Sequence, residues 1–307
     1  MIKKRFYVAK SGDVAYLNIA KSGCTAIKLA LSNFRDSSPE EAGFNVHNAG
    51  DHDLLFLDVL SSQSRLLDSV FKFTFVRDPV DRALSFYRNK VLVYDENVTP
   101  YYQEKGIEYG CDADTFIQRL VTIDPQDLEE HLYPQADTVF ETDGAIVDWI
   151  GRLESIEEHW KELMAVIGRQ VDITAVNRTE KDERSVAAPE SIALLRRYYR
   201  EDGYCFGYQQ DEDADERMKR NRSLFESCRN GYSDSQRPGA TPDWQLVNRI
   251  YLENIHSQMA HLRRQVAGVN SRLDRMSEEN QKLEAGSGDA EPARAPSAWD
   301  KWLGRNR

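Results

Sequence analysis

Apolar residues alternate most regularly with polar ones in the C-terminal part of the chain, between positions 252 and 283. They recur there at spacings of three and four, which is the heptad pattern of a coiled coil. One seam position holds Leu252, Met259, Val266, Leu273 and Asn280, and the other holds Ile255, Leu262, Val269, Met276 and Leu283. We therefore predict a coiled-coil helix over 246–285 and a homo-oligomer formed through residues 252–283. A single amphipathic helix folded back on the rest of the chain is the alternative interpretation.

Short apolar runs and longer amphipathic stretches alternate over residues 1–210 and predict a globular α/β domain. Strands are predicted at 14–19 and 70–76, with a further one near 138–140 or 145–150. Helices are predicted from about residue 26 to 34 and over 80–90, 112–120, 156–167 and 189–201. Strand, loop and helix units in this order favour a central parallel sheet flanked by helices on both faces.

The α/β domain and the predicted coiled coil are separated by a polar segment, 211–245. It opens with an acidic run from Asp211 to Glu216 and continues with Ser, Arg, Asn, Gly and Pro. This composition is typical of a solvated linker or a loosely docked segment. The last residues, 286–307, are rich in Gly, Ser, Ala and Pro and are predicted to form a disordered tail.

Composition and charge exclude several classes of protein. The chain has 307 residues, with 40 Lys and Arg against 51 Asp and Glu and a formal net charge of −11. A general nucleic-acid binder needs a basic field, so no nucleic-acid partner is expected. Neither a long apolar run nor a signal-like apolar core is present, so we expect no membrane span and no secretion. The four cysteines lie far apart, which predicts a reducing compartment.

The first candidate site is the loop between the first predicted strand and the helix after it, Ala20-Lys-Ser-Gly-Cys-Thr25. Gly23 permits a sharp turn, and the amides that follow it would point away from a helix N-terminus, where anions bind. Lys21 adds a positive charge, and Ser22 and Thr25 add hydroxyl groups. The loop therefore predicts a phosphate or sulfate site, although a plain strand–helix connection is an equal alternative from this segment alone. It has no GxxxxGK[ST] spacing, which disfavours an ordinary ATPase or kinase.

The second candidate site follows the second apolar strand, in Phe75-Val-Arg-Asp-Pro-Val-Asp-Arg-Ala-Leu-Ser-Phe-Tyr-Arg88. Arg77 stands at the carboxyl end of that strand, where ligands bind in open α/β sheets. A guanidinium and the Ser85 hydroxyl can together hold a second phosphate. Arg82 and Arg88 are expected to make surface ion pairs.

Together the two loops resemble the cofactor motifs of PAPS-dependent sulfotransferases. The resemblance is to the carbohydrate sulfotransferases of family 2, which include the heparan 2-O- and chondroitin/HNK-1-type enzymes. It extends over about residues 14–208, because further similar segments follow in the same order at His131–Gln135, Trp149–Glu158, Val176–Glu180 and Tyr198–Tyr208. It implies a P-loop-containing sulfotransferase fold and does not cover the linker, the coiled coil or the tail.

The resemblance also implies a role for each matching residue. Lys21, Ser22, Gly23, Cys24 and Thr25 would bind the 5′-phosphosulfate of PAPS, with Lys21 as a catalytic residue beside the bridging oxygen. Arg77 and Ser85 would bind the 3′-phosphate that distinguishes PAPS from ATP. Arg178 and Thr179 would lie near the nucleotide. PAPS is the expected co-substrate, and no metal is expected.

A general base must accept the proton of the attacking hydroxyl, and histidine is the usual residue for that role. Relatives of the heparan 2-O type carry such a histidine between the two cofactor motifs. His52 is our first candidate and His47 the second, although a structural role is at least as probable for either one considered alone. His131 is expected to be a substrate-side or structural residue.

These observations lead to one functional hypothesis and one alternative. The hypothesis is in-line transfer of a sulfuryl group from PAPS to a hydroxyl of a carbohydrate. The alternative is a catalytically inactive PAPS- or PAP-binding regulator, or a scaffold that acts through its coiled coil. Since no leader or anchor is apparent, we expect a cytoplasmic, microbial enzyme, unlike the Golgi members of the family.

Overall fold

The computed structural model describes residues 4–9, 11–32, 54–59, 67, 70–95, 98–173 and 186–230, and single helical positions between 245 and 266. The strands are β1 (Lys4–Val8), β2 (Val14–Leu17), β3 (Leu55–Val59), β4 (Phe71–Val76), β5 (Phe140–Glu141), β6 (Gly144–Ala145) and β7 (Trp149–Arg152). The α-helices are α1 (Cys24–Ser32), α2 (Pro79–Phe86), α3 (Thr99–Glu104), α4 (Ala113–Leu120), α5 (Gln135–Val139), α6 (Ile156–Ile167), α7 (Pro189–Tyr198), α8 (Arg200–Cys205) and α9 (Glu216–Asn230). Residues Met1–Asn254 form one compact unit, and Ile255–Arg307 form a second.

The main sheet has five strands in the order β3-β1-β2-β4-β7. Strands β2, β4 and β7 are parallel, as predicted, with Phe73 of β4 opposite Trp149 of β7. Strand β1 was not predicted, and it runs antiparallel to both β2 and β3. The reason is the tight turn between β1 and β2, in which Gly12 has a φ of +76° and its amide bonds to the Ala9 carbonyl. A hairpin that short cannot return the chain in a parallel direction, so the sheet is mixed.

Helices cover both faces of this sheet, which confirms the predicted α/β architecture. One face packs Leu17 and Ile150 against Phe206, Met218 and Phe225 of the C-terminal helical region. The other face packs Phe73 and Phe75 against Ile27 of α1 and Trp160 and Leu163 of α6. Successive strand side chains point to opposite faces, so both faces of the buried strands are apolar.

Most predicted helices of the α/β domain are present, with shifted ends. The helix predicted over 80–90 is α2, and it continues as a π-helical turn at Tyr87–Val91. Its start is fixed by Asp78, whose side chain accepts hydrogen bonds from the amides of Val80 and Asp81. The helix predicted over 189–201 is divided at Tyr199 into α7 and α8.

The predicted polar linker, 211–245, is the clearest difference from the sequence analysis. Helix α9 occupies its first half and packs against the core of the sheet through Met218 and Phe225, while the buried Asn221 donates a hydrogen bond to Glu201 of α8. These residues recur at spacings of three and four, but charged residues on the other faces lower the mean hydropathy and hid the pattern. The stretch 216–230 is therefore a docked helix, which agrees with the alternative of a docked segment and not with that of a solvated linker. The predicted coiled coil stays a prediction, since only single positions of it lie within the described residues.

Candidate active site

The first loop connects β2 to α1 at the carboxyl edge of the sheet. Lys21 has a φ of +65° and Gly23 a φ of +82°, so the backbone turns sharply before α1 begins at Cys24. A Cβ added to Gly23 would lie 2.7 Å from Cδ1 of Leu153, which shows how closely the loop approaches its neighbours. Helix α1 has no acidic residue in its first turn. The amides of its first turn and the positive end of its dipole therefore favour an anion.

The second loop lies directly against the first. Arg77 follows the last residue of β4, and its Nη1 donates a hydrogen bond to the carbonyl oxygen of Lys21 at 3.2 Å. Strands β2 and β4 are parallel neighbours, so their carboxyl ends meet at one edge of the sheet. The structure thus brings the two predicted anion-binding loops together.

Gln135 connects the two loops through hydrogen bonds of its side chain. No role was predicted for it from the sequence. Its Oε1 accepts hydrogen bonds from Ser22 Oγ at 3.3 Å and from the Arg77 amide at 3.0 Å. Its Nε2 donates to the Arg77 carbonyl at 2.8 Å. The buried carboxylate of Asp202 in turn accepts from the Gln135 and Ala136 amides. The only sequence signal was the position of Gln135 in a segment that resembles the sulfotransferases.

Arg82 supports the same loop, and its predicted role as a surface ion pair is wrong. Its side chain is only 2% exposed, and Nε donates to the Ala20 carbonyl at 3.0 Å. Burial lowers the pKa of this guanidinium, while the nearby Asp202 raises it. Ser85 lies one turn later on α2, on the same helix face as Arg82, and is also buried.

The loop has a concentrated positive potential. Burial is the largest effect on the Lys21 amine; together with the charges of Lys90, Arg77 and Arg88, and against an opposing effect of Cys24, it lowers the pKa to about 8. Among these cations, Arg88 was predicted to lie at the surface, and Lys90, which also forms an ion pair with Asp95, had no predicted role. Four cationic groups therefore act on one another here, and a multiply charged anion would relieve their repulsion.

Comparisons with known proteins agree with this arrangement. A family model described as "Sulfotransferase family" matches residues 4–209. The chain belongs to the sulfotransferase family. Among curated proteins, carbohydrate sulfotransferase 14 of Mus musculus is 35% identical over 130 residues, and that of Homo sapiens is 34% identical over 130 residues. Each match covers 36% of this chain and 35% of the relative. No solved structure matches.

The resemblance to the family 2 sulfotransferases is therefore confirmed, and with it the enzyme class at the level of the family. The chain spans about a third of the length of the curated relatives that it matches. The expectation of a cytoplasmic, microbial enzyme is wrong, because those relatives are animal carbohydrate sulfotransferases. The error came from inferring a compartment from the first residues of the sequence. Across the described part of this sulfotransferase, no helix combines the length and apolarity needed to cross a membrane.

Several predicted site residues cannot be placed. His47, His52, Arg178 and Thr179 lie outside the described residues. Cys24 and Thr25 form the first two residues of α1 and are partly exposed at the loop. Cys24 is a free thiol.

One group in the described ranges could offer ligands to a metal. Glu129, Glu130 and His131 bring ligand atoms within 4.8 Å of one another. However, the carboxylate oxygens of Glu129 lie 2.6 and 2.8 Å from Nδ1 of His131. This carboxylate orients the imidazole ring, and we assign no metal to the cluster.

Proposed function

We propose that this protein transfers a sulfuryl group from PAPS to a hydroxyl group of a carbohydrate. The observation that carries the proposal is the hydrogen bond from Arg77 to the Lys21 carbonyl, which joins the two loops that we propose to bind anions. The sulfotransferase family generally uses PAPS, and the two curated relatives are named carbohydrate sulfotransferases. The carbohydrate acceptor is inferred from those names.

The residues at the loops suit the donor, which carries a phosphosulfate at the 5′ position and a phosphate at the 3′ position of its ribose. In our proposal, the first loop from Lys21 to Thr25 binds the 5′-phosphosulfate through backbone amides, hydroxyls and the Lys21 ammonium. Gly23 lets the backbone approach closely, since it has no Cβ. Arg77 and Ser85 bind the 3′-phosphate, and Arg178 and Thr179 contact the nucleotide. The proposal assigns no role to a metal.

The chemistry needs charge stabilisation and a proton acceptor. The acceptor oxygen attacks sulfur in line while the bond from sulfur to the 5′-phosphate breaks. Lys21 stabilises the negative charge that this phosphate gains, and such preorganised groups supply much of the rate enhancement in enzymes. The hydroxyl proton passes to a general base, for which His52 is our first candidate and His47 the second.

We further propose that residues 246–285 form a coiled coil through which the chain self-associates. Three described seam residues of the C-terminal helix expose large apolar side chains: Leu252 at 55%, Met259 at 45% and Val266 at 57%. Their spacing of seven would place them in one seam against a second copy of the chain. The division into a sulfotransferase domain at 1–210 and a tail at 286–307 is part of this proposal.

A direct assay tests the proposed reaction. Labelled PAPS is incubated with the protein and with desulfated chondroitin or desulfated heparan, and sulfate in the polymer is counted. We expect the wild type to transfer sulfate. Lys21→Ala should lose about a hundredfold or more in kcat, which is the usual effect of removing a group that stabilises the charge of the transition state. If PAP binds but no acceptor is sulfated, the protein is the inactive PAP-binding regulator instead.

His52→Ala and His47→Ala test the base: full activity in both would contradict the assignment.

A further inference from the structure

A cavity of about 240 Å³ lies beside the first loop, at the carboxyl end of β2. It is on the side of β2 that faces β1, because Arg5 of β1 lines it and Arg77, at the end of β4, does not. The segment that leads from α4 to α5 forms the opposite wall. The lining residues are Arg5, Asn18, Ile19, Ala20, Arg82, Gln126, Leu128, Glu130, Tyr133 and Thr138.

The cavity lies next to the candidate active site, because residues that line it immediately precede Lys21 in the sequence. Asn18, Ile19 and Ala20 line it and lead directly into Lys21. Arg82 lines it too, and its Nε bonds to the Ala20 carbonyl at 3.0 Å. The proposed 3′-phosphate site at Arg77 is on the other side of the loop, toward β4. A group held by the loop would therefore lie between the nucleotide and this cavity.

The cavity wall is mostly polar, unlike the apolar walls of most small-molecule sites. Oδ1 of Asn18 is a buried acceptor with no hydrogen-bond partner among the described residues. Arg5 and Glu130 form an ion pair whose side chains are 36% and 41% exposed, so it lies where solvent reaches the cavity. Gln126 and Thr138 add further polar groups, and Tyr133 adds an aromatic ring.

A sugar ring matches this wall better than an apolar ligand does. A buried acceptor without a partner is costly to the free protein, and a hydroxyl donor would remove the cost. A volume of about 240 Å³ is below the range of roughly 300–1,000 Å³ typical of sites for drug-sized ligands, so the cavity admits a single ring. Aromatic rings with polar edges, such as Tyr133, suit the mixed surface of a sugar.

We infer that this cavity is the acceptor subsite and that it holds the sugar ring whose hydroxyl is sulfated. After a turn of its side-chain amide toward the cavity, Asn18 accepts a hydrogen bond from a ring hydroxyl, as the Glu130 carboxylate does, and Arg5 donates to ring oxygens. The acceptor thus enters from the β1 side and the nucleotide from the β4 side, with the sulfuryl group at Lys21 between them. This inference rests on the proposed function.

Two substitutions test the subsite without touching the donor loops. Asn18→Ala removes the unpartnered acceptor, and Glu130→Gln removes the charge that accepts from hydroxyls. Glu104→Gln is the matched control, because Glu104 is exposed and does not line the cavity. Rates are measured with desulfated chondroitin and desulfated heparan at saturating PAPS, together with the Kd for PAP and the melting temperature.

We expect the KM for the acceptor to rise about tenfold in each cavity variant, the effect of one strong hydrogen bond. The KM for PAPS and the Kd for PAP should be unchanged in both cavity variants. The control variant Glu104→Gln should have the wild-type value of every constant. Asn18→Ala should not lower the melting temperature, because it removes an unsatisfied group; a purely structural role would lower it.

Three outcomes would overturn the inference, and they separate it from the proposed function. The subsite is contradicted if the acceptor KM is unchanged in both cavity variants, or if the KM values of acceptor and donor change equally. Sulfation by the wild type would in either case still support the proposed function. A wild-type protein that binds PAP and sulfates neither polymer contradicts the proposed reaction, and the subsite with it. Failure to bind PAP contradicts the proposed function itself.

Discussion

At the scale of single residues, Lys21 has the most unusual environment in the described part of the site. It adopts a left-handed φ of +65°, the only such value at a residue other than glycine among those described. Its amine is desolvated and stands among other cations, which lowers its pKa to about 8. Such strain and charge crowding raise the free energy of the protein unless an anion binds, so they are consistent with a group prepared for a ligand.

The lowered pKa predicts a pH dependence of nucleotide binding. Below about pH 8 the Lys21 amine is charged and attracts the phosphates; above it the free protein holds a neutral amine, and protonating it costs free energy. We expect the affinity for PAP, measured by isothermal titration, to rise only slightly from pH 6.5 to 7.5, as the phosphates complete their second ionisation, whose pKa is about 6. It should then fall by up to about tenfold per pH unit above pH 8.

Lys21→Arg is the matched control, because arginine keeps its charge throughout this range. Its affinity for PAP should stay level up to pH 9. The interpretation is contradicted if both proteins lose affinity above pH 8 in the same way.

At the scale of elements, the turn from β2 into α1 depends on Gly23. Its φ of +82° and the proximity of Leu153 leave no room for a side chain. Helix α1 carries the amides that would face the 5′-phosphosulfate, so the turn sets the position of the anion site relative to the sheet. Gln135 then fixes this turn to the end of β4.

Gly23→Ala should therefore impair binding as well as stability. We expect a loss of at least tenfold in PAP affinity, because the loop must shift away from Leu153. Gly110→Ala is a matched control: Gly110 has a similar φ of +75°, but an added Cβ meets nothing within 4 Å. Each variant should lose about 1–2 kcal/mol from backbone strain, while PAP affinity should fall only in Gly23→Ala. Equal PAP affinities would refute the role of this turn.

The sequence predicts an element when residues close to it in the chain determine it, and fails to do so when distant residues determine it. The strands at β2 and β4 and the loops after them are marked by apolar runs and by Gly23 or Asp78-Pro79, so they could be predicted. The Gln135 contacts join residues 113 and 58 positions apart, and no local pattern marks them. Arg82 looked exposed because a charged residue on a helix usually is; its burial depends on the Ala20 carbonyl that the fold brings to it.

At the scale of the whole molecule, the chain divides into two compact units, Met1–Asn254 and Ile255–Arg307. The family match ends at residue 209, and α9 then adds a further helix to the first unit. The second unit begins within the heptad repeat. A large apolar stripe of this kind on a single chain favours a protein partner, and its regular spacing favours a second copy.

Self-association should disappear when the seam is made charged. We expect the full chain to sediment as an oligomer and the double variant Met259→Asp/Val266→Asp to sediment as a monomer, because buried unpaired carboxylates oppose helix pairing. Ser257→Asp is the control, since position 257 lies outside both seam positions of the repeat. A monomeric wild type, or an oligomer unaffected by the double variant, would contradict the coiled coil.

The central claim is that the loops at Lys21 and Arg77 bind opposite ends of one nucleotide. The most direct test is isothermal titration of PAP and of AMP, which lacks the 3′-phosphate, against the wild type and Arg77→Ala. We predict that the wild type binds PAP at least about tenfold more tightly than AMP, since a charge-assisted hydrogen bond contributes about that much. In Arg77→Ala this preference should shrink, because PAP affinity should fall by more than AMP affinity does, although AMP is also affected through the lost hydrogen bond to the Lys21 carbonyl. A wild type that does not distinguish the two nucleotides, or an Arg77→Ala variant that keeps the full preference for PAP, would contradict the account.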